Sequence, residues 1–100
     1  MNETDRELLI WAAKAAGIEC GIIHGEIRIR CDAGWTPWNP LTDDGDALRL
    51  TVRLNIPVFP YDDETSTGTV GVVAKNWGSK EENTRRAIVR AAAEIGRNMK

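Results

Sequence analysis

Three segments of this chain have the apolar spacing of an amphipathic helix, and each carries its own start or stop signals. The first begins at the capping box Thr4–Glu7 and ends at Gly17. The second begins at Thr42–Asp44, whose side-chain oxygens suit a helix N-terminus, and ends at Asn55. The third begins at another capping box, Ser79–Glu82. Three such helices have three apolar faces to bury, so the residues between them must supply a covering surface.

The residues between the helices predict that this surface is a small sheet. Cys20–Cys31 contains two β-prone runs joined by His24 and Gly25, which is typical of a tight hairpin. Pro57–Tyr61 predicts an edge strand because of its prolines, and the apolar run Thr69–Ala74 predicts a central strand. The order α-β-β-α-β-β-α indicates an α+β fold, an α-β-α sandwich of about four largely antiparallel strands with three helices packed on them.

Alternation in the second run of the hairpin separates a buried face from one that is either wet or covered by something negative. Ile27, Ile29 and Cys31 point one way, and Glu26, Arg28 and Arg30 point the other.

Two connections lack an alternating pattern. Ala33–Pro40 carries two tryptophans and two prolines and is expected to be irregular, and the polar stretch Asp62–Gly68 is expected to be a mobile loop.

The helices predict most of the core. The expected buried positions are Leu8, Trp11, Ala12, Ala15 and Ala16 in the first helix, Ala47, Leu50, Thr51 and Leu54 in the second, broadened by Leu48 and Val52, and Ala87, Ile88, Ala91, Ala92, Ile95 and Met99 in the third. The arginines of the third helix, Arg85, Arg86, Arg90 and Arg97, are expected to lie mostly outside.

Size and charge exclude several classes of protein. A chain of 100 residues is expected to form a single domain over 1–100. It has no apolar run of roughly eighteen residues and no basic, apolar leader, which favours a cytoplasmic protein. A net charge of -2 argues against duplex nucleic acid as a partner. Cys20 and Cys31 lack the spacing and the histidines of a zinc site and are expected to be two ordinary thiols.

Two segments resemble a known group of proteins. Trp38–Leu50 and Thr84–Gly96 are similar to segments of small bacteriophage and prophage proteins of the phage ABA-sandwich family. Together with the helix Leu8–Gly17, the likeness covers about half of the chain. The resemblance implies an α-β-α layering and a place in the cytoplasm of a bacterial host. It brings no catalytic residues with it, because the family has no established activity.

The candidate motifs for catalysis or metal binding in the sequence are incomplete. Asp43–Asp46 suggests a calcium loop, but Leu48 and Leu54 stand where an EF-hand needs a glycine and a glutamate. His24 is the one imidazole and lies in an expected turn, with no nucleophile assignable to it. No phosphate-binding glycine loop is present. The sequence therefore predicts a protein that is not an enzyme and needs no metal or cofactor.

The tryptophans are the strongest anomaly of composition, with four of them against one Phe and one Tyr. Trp35 and Trp77 each stand beside a glycine in an expected loop, where the ring either pins the loop to the core or forms a recognition surface. The leading hypothesis is a phage or prophage accessory protein that binds a host or phage protein, including one of a host defence system. The predicted contacts are Trp35, Trp77, Asp62, Asp63 and Glu64.

The alternative hypothesis is a module that captures a nucleotide or nucleotide-like signal through Arg28, Arg30, Lys75 and Trp77. The arginines of the last helix either dock phosphates, stay solvated or lie along the protein's own acidic surface. Duplex nucleic acid ranks third. A homo-oligomer through the edge strand Val58–Tyr61 stays open, although its prolines oppose pairing.

Overall fold

The residues that the structure describes fold into three helices and two small sheets. The computed structural model describes residues 5–32, 34–56, 58–60, 64–67, 73–75 and 79–99. The helices are α1 (Asp5–Ala16), α2 (Asp44–Leu54) and α3 (Lys80–Arg97). The strands are β1 (Cys20–Ile23), β2 (Glu26–Cys31), β3 (Gly34–Pro37), β4 (Val58–Pro60), β5 (Glu64–Thr67) and β6 (Val73–Lys75). The predicted α+β class is confirmed.

The number and order of the strands differ from the prediction. Over the described residues, the order is α-β-β-β-α-β-β-β-α, where the sequence predicted about four strands in one sheet. The first sheet has the order β1-β2-β3 and the second β4-β5-β6, and all neighbours are antiparallel. Within each sheet, consecutive strands along the chain pair with each other, so neither sheet needs a crossover connection.

The first sheet extends the predicted hairpin by one strand. His24 and Gly25 have φ angles of +52° and +78°, as a two-residue hairpin turn requires, which confirms the tight turn. The expectation of an irregular stretch after β2 is wrong for Gly34–Pro37, which pairs with β2 as an edge strand. Pro37 is tolerated at the last position of this strand, because an edge strand does not need every N–H group for pairing.

The second sheet corrects two further predictions. β4 lies at an edge, as its prolines predict, but the central strand is β5. β5 occupies part of the stretch that was expected to be a mobile loop, and its β-branched Thr65 and Thr67 suit a strand. The apolar run predicted as the central strand contributes the edge strand β6. The rest of that loop and of that run lie outside the described residues.

The predicted helix ends are confirmed wherever the structure describes them. Gly17 closes α1 in the left-handed conformation, and the N–H of Ile18 donates to the carbonyl of Ala13 at 3.0 Å. Asp43 caps α2 by accepting from the N–H of Asp46, and Asn55 closes α2 with φ +53°. Ser79 and Glu82 form the predicted capping box of α3. Thr4 lies outside the described residues.

Helix α3 is the central element of the core. It packs against α1, against α2 and against the second sheet. Its buried side chains are Asn83, Ala87, Ile88, Val89, Ala91, Ala92 and Ala93. Among the helices described, none has both the length and the apolar content that crossing a membrane requires.

The contact between α1 and α3 is built from small residues. Leu9, Ala12, Ala13 and Ala16 are the buried positions of α1, one residue further along the helix than much of the predicted stripe. Trp11 is only half-buried, and the Lys14 ammonium lies 5.2 Å from its ring centroid. Gly96 of α3 lies against the backbone of α1. A Cβ atom there would collide with the Trp11 carbonyl oxygen and lie 2.9 Å from its carbonyl carbon.

Two arginines of α3 lie against the protein instead of mostly outside it. Arg85 is 16% exposed and binds the Asp44 carboxylate at 2.6 Å and the Leu41 carbonyl at 2.8 Å. Arg86 is 21% exposed and donates to both carboxylate oxygens of Asp5 at 3.1 and 3.3 Å. These pairs join α3 to the start of α2 and to the start of α1, so the arginines contribute to the scaffold.

Candidate interaction surface

The outer face of the first sheet gathers an aromatic ring and two arginines. Ile27 and Ile29 of β2 pack against the core. Because neighbouring residues of a strand point to opposite faces, Arg28 and Arg30 lie on the side away from the core. Trp35 of β3 is the register partner of Arg30, and paired residues share a face. We call the outer face formed by Arg28, Arg30 and Trp35 the platform.

The ring of Trp35 lies across the whole width of this sheet. Its Cζ3 and Cη2 atoms are 3.5 and 3.6 Å from the place that a Cβ of Gly21 would occupy. Gly21 belongs to β1, at the opposite edge from Trp35, so the ring reaches over β2. The glycine leaves the space into which the ring extends. Trp35 is nevertheless 42% exposed, so the ring is both supported by the sheet and open to a partner.

The two arginines of the platform each have an acidic neighbour. The Arg28 guanidinium lies 2.9 Å from the Glu26 carboxylate, and its Nε is buried with no hydrogen-bond partner among the described residues. Arg30 lies 3.8 Å from the Glu19 carboxylate, and both of these side chains are more than three-fifths exposed. An exposed pair at that distance adds little to stability, so the Arg30 guanidinium can turn to another anion at low cost.

A groove of about 660 Å³ begins beside Arg30 and runs between the first sheet and α2. We call it the α2 groove. Ile29 contributes to its sheet wall together with Ile18 just before β1, and Leu48 and Val52 contribute to its helix wall. The buried Trp38 also lines it. Arg30, Arg49 and Arg53 add three guanidinium groups to its lining.

Leu48 and Val52 were expected to broaden the buried stripe of α2, and this prediction is wrong. They are 62% and 68% exposed, while Ala47 and Leu50 are buried. The four-residue spacing of Leu48 and Val52 puts them one above the other on one side of the helix. Two large apolar side chains that the fold leaves in water mark this side of α2 as a candidate contact surface.

The residues predicted for protein contact fall into two groups. Trp35 lies in the platform, as an exposed recognition residue would, and Glu64 lies in the second sheet. Trp77, Asp62 and Asp63 lie outside the described residues.

The residues predicted for nucleotide capture are divided between the sheets. Arg28 and Arg30 lie in the first sheet and Lys75 lies in the second, where it is the register partner of Glu64. The structure brings Arg28 and Arg30 together with Trp35, a residue that sequence reasoning had placed in the other set. The pairing of β2 with β3 makes this connection, and β3 was not predicted from the sequence.

The basic row predicted on α3 is largely used within the protein. Arg86 binds Asp5, and Arg97 lies 3.0 Å from the Glu94 carboxylate. Arg90 is exposed. These pairs agree with the interpretation that the arginines lie along the protein's own acidic surface, and they leave less positive charge for a phosphate.

The reactive groups that the structure describes do not form a catalytic arrangement that we recognise. Both cysteines are free thiols, as predicted, and burial raises the pKa of the Cys20 thiol, which makes it a poorer nucleophile. His24 lies exposed in the hairpin turn. No group of three or more His, Cys, Asp or Glu within the described ranges is placed to hold a metal ion.

Comparisons of the chain with protein-family models, with curated proteins and with solved structures found no match. The resemblance to phage ABA-sandwich proteins therefore stays a prediction, and the function has to be argued from the surface itself.

Proposed function

We propose that this protein acts by binding another protein through the platform. The observation that carries the proposal is the Trp35 ring, which is packed over Gly21 on the first sheet and is still 42% exposed. Tryptophan and arginine are the residues that most often dominate the binding energy of protein interfaces. A ring already held by the sheet loses little conformational freedom on binding, so more of its contact energy contributes to affinity.

The resemblance of Trp38–Leu50 and Thr84–Gly96 to phage proteins supports the biological setting of this proposal. In that setting the protein is an accessory product of a phage or prophage, it acts in the cytoplasm of the bacterial host, and its partner is a host or phage protein. Antagonism of a host defence system is one role that such a binding protein fills.

A nucleotide-like ligand is the second candidate, and the same face gives it one supporting observation. A base could stack on Trp35 while Arg28 and Arg30 of the neighbouring strand meet phosphate oxygens. Glu26 opposes this arrangement, because its carboxylate lies 2.9 Å from the Arg28 guanidinium and repels an anion. The platform therefore favours a protein, whose surface can offer both charges.

Capture from bacterial lysate tests the proposal, with the immobilised chain and its Trp35→Ala variant compared by quantitative mass spectrometry. The partner recovered is then purified and titrated by calorimetry. We expect the variant to bind at least about tenfold more weakly, since an interface tryptophan is commonly worth 2 kcal/mol or more. Met99→Ala is the matched control, because Met99 is 43% exposed and lies beyond the end of α3.

Two results would contradict the proposal. One is that no protein is recovered above background, and the other is that Trp35→Ala captures and titrates like the unmodified chain. Thermal melting of the same samples with cyclic and linear nucleotides separates the second candidate. A melting temperature that rises with nucleotide concentration would support nucleotide capture, and a constant one would remove it.

A further inference from the structure

We propose that the α2 groove takes an acidic, amphipathic helix of the partner protein. This inference rests on the proposed function and adds to it a second contact with a defined chemistry. The first supporting observation is the apolar pair on its helix wall. Leu48 and Val52 are both more than three-fifths exposed, and Ile18 and Ile29 line the opposite side of the same groove. Because both walls of the groove carry apolar side chains, the apolar ridge of a ligand can pack between them.

The second observation is the charge beside this apolar pair. Arg49 and Arg53 each follow one of the two apolar residues in sequence, so a row of guanidinium groups runs beside the row of apolar side chains on α2. Arg30 adds a third guanidinium from the sheet wall. A ligand that matches both the apolar row and the guanidinium row carries an apolar ridge with carboxylates beside it.

The carboxylates of the groove offset only part of this charge. The Asp46 side chain is only 13% exposed, and its oxygens accept from the Asn39 N–H at 3.0 Å and from Arg49 at 2.7 Å. Glu19 lies 3.8 Å from Arg30 in an exposed pair. The lining therefore holds three arginines against two acidic residues, so it stays positive overall although Asp46 pairs with Arg49.

The spacing of the helix wall selects a helix as the bound element. Leu48 and Val52 are one helical turn apart, about 6 Å along the axis of α2. Apolar side chains at the same one-turn spacing on a second helix can pack between them, which is the way that an amphipathic helix occupies a groove. Acidic residues beside that ridge would then meet Arg49 and Arg53.

A pair of synthetic peptides tests this inference on the full chain. The probe is a fluorescein-labelled peptide of about 14 residues with leucines at one-turn spacing and glutamates beside them, and the control peptide carries lysine in place of each glutamate. Fluorescence anisotropy is read at about 50 mM and at about 300 mM NaCl. We expect the glutamate peptide to bind at least tenfold more tightly than the lysine peptide, and to lose affinity at the higher salt.

Variants on the exposed face of α2 locate the binding. Leu48→Glu should weaken binding of the glutamate peptide at least tenfold, and Arg49→Glu should weaken it while improving binding of the lysine peptide. Ile10→Glu is the control, because Ile10 is also an exposed apolar helix residue, 39% exposed, and lies outside the groove. Circular dichroism checks that each variant is folded.

Three results would overturn the inference. They are no binding of the glutamate peptide at about 1 mM, equal binding of the two peptides, and a chain that sedimentation shows to be a dimer that Leu48→Glu converts to a monomer. The third result would assign the groove to a second copy of this chain. Trp35→Ala separates this test from that of the platform, since it should leave peptide binding unchanged while it weakens capture of the natural partner.

Discussion

The contact of α1 with α3 and the surface of α2 with the first sheet use opposite kinds of residue. Where α1 meets α3, alanines and Gly96 let two helix backbones approach, and little of them reaches solvent. On the other surface, Trp35, Leu48 and Val52 are large, apolar and between 42% and 68% exposed. Small buried residues are explained by the needs of the fold. Large apolar side chains held in water are not, and this difference points to binding.

The strongest test of this comparison is Gly96→Ala. The added methyl group would collide with the Trp11 carbonyl and lie 3.2 Å from the Ala15 nitrogen, and because these are backbone atoms the two helices must separate. We expect the free energy of unfolding to fall by about 3 kcal/mol or more, the upper range for overpacking. Urea denaturation followed by circular dichroism measures it.

Gly45→Ala is the control for that substitution, because it also adds a methyl group to a helical glycine. At Gly45 the nearest atoms are side-chain atoms, with Asp43 Oδ2 at 3.2 Å and the Arg49 guanidinium at 3.4 Å, and these can move. Its unfolding free energy should change by less than about 1 kcal/mol. Equal effects of the two substitutions would show that α1 and α3 are not closely packed at Gly96.

Two arginines, one mostly buried and one mostly exposed, allow the buried and exposed parts of the protein to be compared for charged residues as well. Arg85→Ala removes a guanidinium that is 16% exposed and leaves the Leu41 carbonyl and the Asp44 carboxylate without their donor. We expect a loss of about 1–2 kcal/mol in unfolding free energy. Arg30→Ala removes a guanidinium that is 65% exposed, and the loss should stay below about 0.5 kcal/mol. Denaturation curves in which Arg30→Ala costs as much as Arg85→Ala would contradict the division into scaffold and contact surface.

The capping box of α3 gives a smaller effect with a pH dependence. The N–H of Ser79 donates to the Glu82 carboxylate and, together with the Ser79 side chain, holds the pKa of Glu82 below its ordinary value. A carboxyl with a lowered pKa in the folded state stabilises the protein above its unfolded pKa, and this stabilisation is lost as the pH falls through the folded pKa. Acid should therefore weaken the start of α3.

Ser79→Ala tests this cap directly. The variant should lose about 1 kcal/mol at neutral pH, the usual cost of removing an N-cap serine. It should also lose less stability on acidification than the unmodified chain, because the pKa of Glu82 returns towards its ordinary value. Unfolding curves at neutral pH and in acid, below the carboxyl range, check both points. Glu82→Gln keeps a side chain that can accept the bond but removes the titrating carboxyl, so it should reduce the dependence on pH further than Ser79→Ala, which keeps the backbone N–H donor.

Local signals predicted the helix ends well. Gly17, Asp43, Asn55 and Ser79 all act as the sequence predicted, because a cap depends on residues within one turn of itself. The positive φ angles at the hairpin turn are equally local.

The missed strands and buried faces depended on distant neighbours. β5 is polar in sequence and is identified as a strand through its pairing with β4 and β6. The buried face of α1 was misjudged because apolar residues run continuously over Leu8–Ala13, so several stripes satisfied the helical spacing.

The candidate site was predicted in part. Trp35 stood out through its type and its glycine neighbour, but its grouping with Arg28 and Arg30 depends on the register of β2 and β3. Leu48 and Val52 are four residues apart and lie next to the buried residues of α2. In the sequence, either set of residues has the spacing of an apolar helix face. Which row is exposed is decided by where the neighbouring elements lie, so apolar spacing alone cannot tell the core from a contact surface.

The pairing of α1 with α3 has a consequence for how the protein is made. Asp5 and Arg86 are 81 positions apart, and the helices that carry them bury their alanines against each other. During translation, α1 leaves the ribosome long before α3 exists, so its apolar side has no partner until most of this sequence has been synthesised. Such a late, long-range contact slows folding and prolongs exposure of the nascent chain to chaperones and proteases. A ribosome stalled before Lys80 should hold an unfinished core, which limited proteolysis would detect.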